Sequence, residues 1–149
     1  MDIGSKNSYP ANSLSNFTYH PFTFDGIYCN SMEGFLQSLK FKNPEMQKEI
    51  CKLIGLNAKN RGRKKKWWRT QTLYWKGKEI NRHSDEYQEL LNRAYFELSK
   101  SSGFGAALVM SYPAILTHKI GNKDSHRTVL TSSEFCSRLT KLRQILIEE

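Results

Sequence analysis

Apolar and polar positions along this chain change their spacing several times, and each change marks an element. Residues 1–13 are rich in Ser and Asn and carry no sustained period, which predicts a loose N-terminal arm. In LSNFTYHPFTFDGIYCNS, short aromatic-rich segments flank Asp25-Gly26. An Asp-Gly pair between alternating segments is a hairpin signal, with strands near Phe22–Phe24 and Ile27–Cys29. The spacing then becomes helical in NSMEGFLQSLKF, where Ser31 can cap a helix from Met32 to about Phe41. Asn43, Pro44 and Glu45 have the order of a helix start. Met46, Ile50, Leu53 and Ile54 would be its buried face, and Gly55 its end.

LNAKNRGRKKKWWR predicts a short turn of helix and then a basic run. TLYWKGKEINR predicts a second hairpin turning at Lys76-Gly77. Ser84 caps a long helix to about Lys100, with Asp85 and Glu86 at its positive end. Its positions Tyr87, Leu90, Leu91, Ala94, Tyr95 and Leu98 lie on one face. A short helix covers Phe104–Met110, and a polar loop runs from Leu116 to Thr131. Thr131 and Glu134 form a capping box that opens a last helix, to about Ile147. The expected fold is α+β: one mostly α-helical domain over 14–149 with small β-hairpins.

One row on the first helix breaks its apolar pattern. Glu33, Gln37 and Lys40 are at i, i+4 and i+7 and stack on one face between apolar neighbours. A carboxylate walled by apolar and aromatic side chains can hold a raised pKa or face a developing cation. Both properties suit cleavage of a glycosidic bond through an oxocarbenium-like transition state. The plainer alternative is a structural carboxylate paired with Lys40 or Lys59 in a filled interior, with no cleft beside it.

Charge narrows the partners. The 149 residues contain 23 Lys+Arg against 14 Asp+Glu, a formal net charge of +9. Such an excess favours an anionic partner, a nucleotide or a nucleic acid. The run RGRKKKWWR supplies cations for phosphates at Arg61, Arg63, Lys64, Lys65 and Lys66, and stacking surfaces at Trp67 and Trp68. No apolar run approaches about 18 residues and MDIGSKNSYP has no apolar signal core, so no membrane partner is expected. Cys29, Cys51 and Cys136 make neither a disulfide framework nor a zinc pair, which fits reduced thiols in a cytosol. His20, His83, His118 and His126 lack metal-ligand spacing, and no phosphate-binding glycine loop is present, so no metal or cofactor is expected.

Ser15-Asn16-Phe17, followed by FTFDGIYCNSMEGFLQSLKF, resembles the opening of the NADAR (YbiA-like) family. The family's SxExxxQxxKF pattern falls on Ser31, Glu33, Gln37, Lys40 and Phe41. Ala58-Lys59, Gly62 and Trp67 or Trp68 resemble its AK..GR....W stretch. The likeness spans roughly residues 13 to 145. Gly34 stands where the family has a histidine, and the second hairpin has no counterpart in its better-known members.

The resemblance implies a hydrolase of a ribosyl C1–N bond, in a ribosylamine nucleotide or an ADP-ribosyl group on a guanine base, free or in nucleic acid. It makes Glu33 the central catalytic residue, with Gln37 bonding a ribose hydroxyl or orienting Glu33. Lys40 and Lys59 would sit near phosphate or tune the carboxylate, and Asn16 and Phe17 would shape a wall. Trp68, or else Trp67, would stack on the base. Asp124 and His118 are candidates for a second acid–base group. The cytosol of a bacterium or of a phage-infected host is the expected location. The other reading is a non-catalytic binder of a nucleotide-like signal or of nucleic acid.

Overall fold

Capping side chains set where most helices begin. The computed structural model describes residues 1–149. Strands β1 (Phe22–Phe24) and β2 (Ile27–Cys29) pair antiparallel, Phe24 opposite Ile27. Helix α1 (Met32–Ser38) is capped by Ser31, whose Oγ accepts from the Gly34 amide at 3.0 Å. Helix α2 (Pro44–Cys51) starts on Asn43, and α3 (Gly55–Arg63) follows at once. After a 3-10 turn at Trp67–Arg69, β3 (Thr72–Trp75) and β4 (Lys78–Asn81) form the second hairpin. Helix α4 (Asp85–Ser99) starts on Ser84, α5 is Ser102–Met110, and α6 (Ser132–Glu148) opens with the Thr131–Glu134 capping box. The α+β domain has a single apolar core, in which Phe24, Phe35 and Trp75 join both hairpins to α1 at ring separations of 5.1 to 5.5 Å. No helix is long and apolar enough to cross a membrane, and the three cysteines are free.

Two glycines let neighbours close onto α1. A Cβ on Gly34 would lie 2.7 Å from the Leu53 carbonyl oxygen, so no side chain fits there. A Cβ on Gly62 would lie 1.8 Å from Gln37 Oε1, so α3 presses directly on the polar face of α1.

Several boundaries differ from expectation. α1 ends at Ser38, but Leu39, Lys40 and Phe41 continue in a tightened turn through i→i−3 bonds, so Lys40 stays beside Gln37. Gly55 opens α3 instead of ending α2, and the expected short turn is a nine-residue helix. Of the buried face expected for α2, Ile50 is buried and Ile54 is exposed. Gln47 is buried in its place, because its amide bonds the Ser38 and Tyr74 carbonyls and the Lys76 amide. Residues 1–13 are not a loose arm. Ile3 and Ala11 are buried, and the Ile3 amide bonds the Thr117 carbonyl at 2.8 Å.

The loop from Leu116 to Thr131 is anchored in the same spirit. Arg82, buried, donates from Nε to the Thr128 carbonyl at 2.9 Å and forks onto the Glu134 carboxylate. The Tyr87 hydroxyl donates to the Val129 carbonyl. These bonds hold the loop against the body of the domain, where it faces α1.

Candidate functional site

The polar row of α1 opens onto a cleft of about 520 Å3, a volume suited to a nucleotide-sized ligand. Its floor is Glu33, Leu36, Gln37 and Lys40. One wall is Asn16 and Phe17, and another is Lys59 and Arg63 from α3 with Lys65, Trp67 and Trp68 beyond it. The anchored loop closes the far side with His118, Ile120, Gly121, Asn122 and Arg127 to Leu130. The filled interior of the plainer alternative is therefore not what the chain forms.

Backbone bonds hold the walls in register. The Glu33 amide bonds the Asn16 carbonyl and the Gly55 amide bonds the Phe17 carbonyl, each at 3.0 Å. Asn16 thus sits at the start of α1, and Phe17 at the start of α3.

Glu33 accepts one side-chain hydrogen bond, from Gln37 Nε2 at 2.6 Å. Burial pushes its carboxyl above the usual range, against the opposing pull of Gln37, Lys40, Lys59 and His118. Burial lowers the Lys40 ammonium, and Glu33 partly restores it. Gln37 Oε1, facing Gly62, has no partner. The pair is thus locked with the amide nitrogen toward the carboxylate.

His118 donates from Nδ1 to the Ile3 carbonyl at 2.9 Å and lies edge-on to Phe135. A carbonyl only accepts, so the Nδ1 proton is fixed and Nε2 is left free. Trp67 is buried, whereas Trp68 is 51% exposed with the Arg69 guanidinium 5.6 Å from its ring. Lys59 Nζ lies 6.0 Å from the Phe17 ring centroid.

The cleft gathers Glu33, Gln37, Lys40, Lys59, Asn16, Phe17, Trp67, Trp68, His118, Arg63 and Lys65 from the residues singled out in the sequence. It does not include Asp124. That carboxylate is exposed, accepts from the His126 amide at 3.0 Å and faces Arg127. The His126 amide bond holds it below the usual range, and it caps a turn outside the cleft. Arg61, Lys64 and Lys66 also lie outside the cleft, exposed on the surface. None of the basic residues from Lys59 to Arg69 has an ion-pair partner.

Sequence reasoning missed Arg127, Asn122 and the Ile3 carbonyl behind His118. The polarity of the loop was a signal for the first two. Ile3 gave none, because its role depends on a partner over a hundred residues away.

A family model described as bacteriophage protein GP30.3 matches residues 8–144. The chain is 40% identical over 153 residues to the "Uncharacterized 17.1 kDa protein in Gp30-rIII intergenic region" of Enterobacteria phage T4, with 98% of each covered. Among solved structures it is similar to the E. coli protein YbiA, determined by NMR, with a TM-score of 0.60. That match has 19% identity and covers 98% of this chain and 83% of the other. Its identity is low enough that it speaks for the fold alone, which is the YbiA-like fold expected from the sequence.

Proposed function

The chain belongs to the bacteriophage protein GP30.3 family and has a YbiA-like fold, and from that premise we propose that it is an N-glycosidase. Its substrate is a ribosyl C1–N bond in an ADP-ribose-type or ribosylamine nucleotide, including ADP-ribose carried on guanine bases of nucleic acid. The observation that supports this reading is Glu33: the one carboxylate lining a cleft otherwise rich in cations and aromatics.

The C1–N bond breaks with its electron pair leaving on nitrogen, and positive charge develops at C1 and the ring oxygen. Glu33 stabilises that charge and takes a proton from the water whose oxygen bonds C1. Its raised pKa makes it a better base than an exposed carboxylate. His118 relays a proton through Nε2 to the leaving nitrogen, its ring held by the Ile3 carbonyl. Lys40, Lys59, Arg63 and Lys65 neutralise phosphate, and Trp68 stacks on the base. No cofactor enters these steps, and the cytosol of an infected cell is where such substrates would be met.

The test is incubation with ADP-ribosylated DNA and RNA and with ribosylamine nucleotides, with products read by mass spectrometry. Release of a free base or amine together with a ribosyl hydroxyl supports the reading. Tight binding with no product on any of them would make the protein a nucleotide binder. If the substrate is carried on a polymer, Arg61, Lys64 and Lys66 contact its backbone outside the cleft. Affinity then falls with salt, with a log–log slope of about −0.7 per phosphate contacted on a single strand. A flat salt response restricts the substrate to a free nucleotide.

A further inference from the structure

Tyr95 lies in α4, wholly buried, and its hydroxyl donates to Asn16 Oδ1 at 2.9 Å. The hydroxyl has no other acceptor among the hydrogen bonds of the fold. Turning the Asn16 amide over would set Nδ2 against the phenol oxygen and strand the phenol hydrogen in the interior. A buried donor without an acceptor is the costly case, so the phenol selects one amide orientation. Burial also raises the Tyr95 hydroxyl well above its ordinary range, so it remains a donor throughout the pH range of a cell.

The other end of the same amide is unengaged. Asn16 Nδ2 has no protein partner, and it is not among the sealed side-chain atoms lacking one, which are Asn12 Oδ1, Gln37 Oε1 and Arg138 Nε. Asn16 lines the cleft, and its carbonyl holds the Glu33 amide at 3.0 Å. Two N–H donors of fixed orientation are therefore held in the cleft lining, on the residue whose backbone carbonyl bonds the Glu33 amide.

We propose that Tyr95 is a positioning residue: by fixing the Asn16 amide it makes the wall beside Glu33 a donor, which selects ligands with an oxygen acceptor at that point. A ribosyl hydroxyl or ring oxygen has that character. An exocyclic amine does not. The choice of ligand rests on the cleft being a nucleotide site. The amide orientation does not, and the experiment separates the two.

In the first arm, the side-chain amide of Asn16 is observed by 15N-resolved NMR in the full chain without ligand. The expected result is one sharp pair of resonances without strong NOEs to the Tyr95 ring protons, and a shift or broadening of that pair in Tyr95→Phe. Strong NOEs to the Tyr95 ring, or a pair unmoved in Tyr95→Phe, overturn the proposal. In the second arm, ADP-ribose is titrated against wild type, Tyr95→Phe and Asn16→Asp, with thermal melts alongside. Asn16→Asp keeps an acceptor for Tyr95 and replaces the donor by a second acceptor. Affinity is expected to fall about tenfold in Tyr95→Phe and further in Asn16→Asp, with folded melts in both. Asn16→Asp binding as wild type does overturns the donor role. Failure of wild type to bind ADP-ribose counts against the nucleotide reading, and the resonances still decide the role of Tyr95.

Discussion

Glu134, in the first turn of α6, accepts from both terminal nitrogens of Arg82, from Gln88 Nε2 and from the Thr131 amide, at 2.6 to 3.1 Å. Glu33, in the first turn of α1, accepts from Gln37 Nε2 and from no other side chain. Burial raises both carboxyls. At Glu134 the bonds from Arg82, Gln88 and Thr131 outweigh it and the pKa falls below the usual value; at Glu33 burial prevails. Two carboxylates, each in the first turn of its helix, have thus come to opposite ends. One is saturated by the fold and clasps the loop to the body. The other is left short of donors, in a cleft where a ligand can supply what is missing.

The largest effect expected from this contrast is on stability. Glu134→Ala leaves the Arg82 guanidinium, 1% exposed, without its counter-charge. Breaking such a buried pair costs about 3–5 kcal/mol, read as a fall in the urea midpoint. Glu33→Gln should leave the midpoint unchanged or raise it. Equal losses in the two variants would make Glu33 another structural carboxylate. The tryptophans sharpen the comparison at the cleft wall. Trp67→Ala should cost about 3–5 kcal/mol of stability, because the side chain belongs to the core. Trp68→Ala should leave stability nearly intact and weaken ADP-ribose binding by about 1–3 kcal/mol, measured by calorimetry.

A smaller effect is in the pH dependence, and the two carboxylates oppose each other in sign. The folded pKa of Glu134 is depressed, so its stabilisation is present above the unfolded value and lost as pH falls through the folded one. The folded pKa of Glu33 is raised, so its contribution is present below the unfolded value and lost as pH rises through the folded one. Urea unfolding across acidic to neutral pH should show wild type gaining on Glu134→Gln as pH rises, and losing ground to Glu33→Gln. Parallel curves for the two variants would contradict the assignment of their environments.

Local chemistry made much of this legible in the sequence. Ser31, Asn43, Ser84 and the Thr131–Glu134 box mark helix starts because each cap acts within three residues. The row Glu33, Gln37, Lys40 was visible because helical spacing alone stacks it, even across the tightened turn after Ser38. What was hidden depends on partners distant in the chain. Ile3 is buried where its backbone pairs with the segment around Thr117, distant in the chain. Gln47 reads as a surface residue until the second hairpin arrives to occupy its amide. Asp124 read as a candidate second acid–base group because it is a carboxylate in a polar loop. Only the local turn, with the His126 amide on its carboxylate, separates it from the cleft.

The proposed function makes Glu33 a catalyst and not a clasp. On whichever ribosyl substrate wild type cleaves, single-turnover rates of wild type and Glu33→Gln are compared at saturating protein, with substrate affinity measured for both. The expected result is retained affinity and a rate lower by about 100- to 10,000-fold, the scale of a lost acid–base group. A Glu33→Gln rate equal to that of wild type would make Glu33 a structural carboxylate.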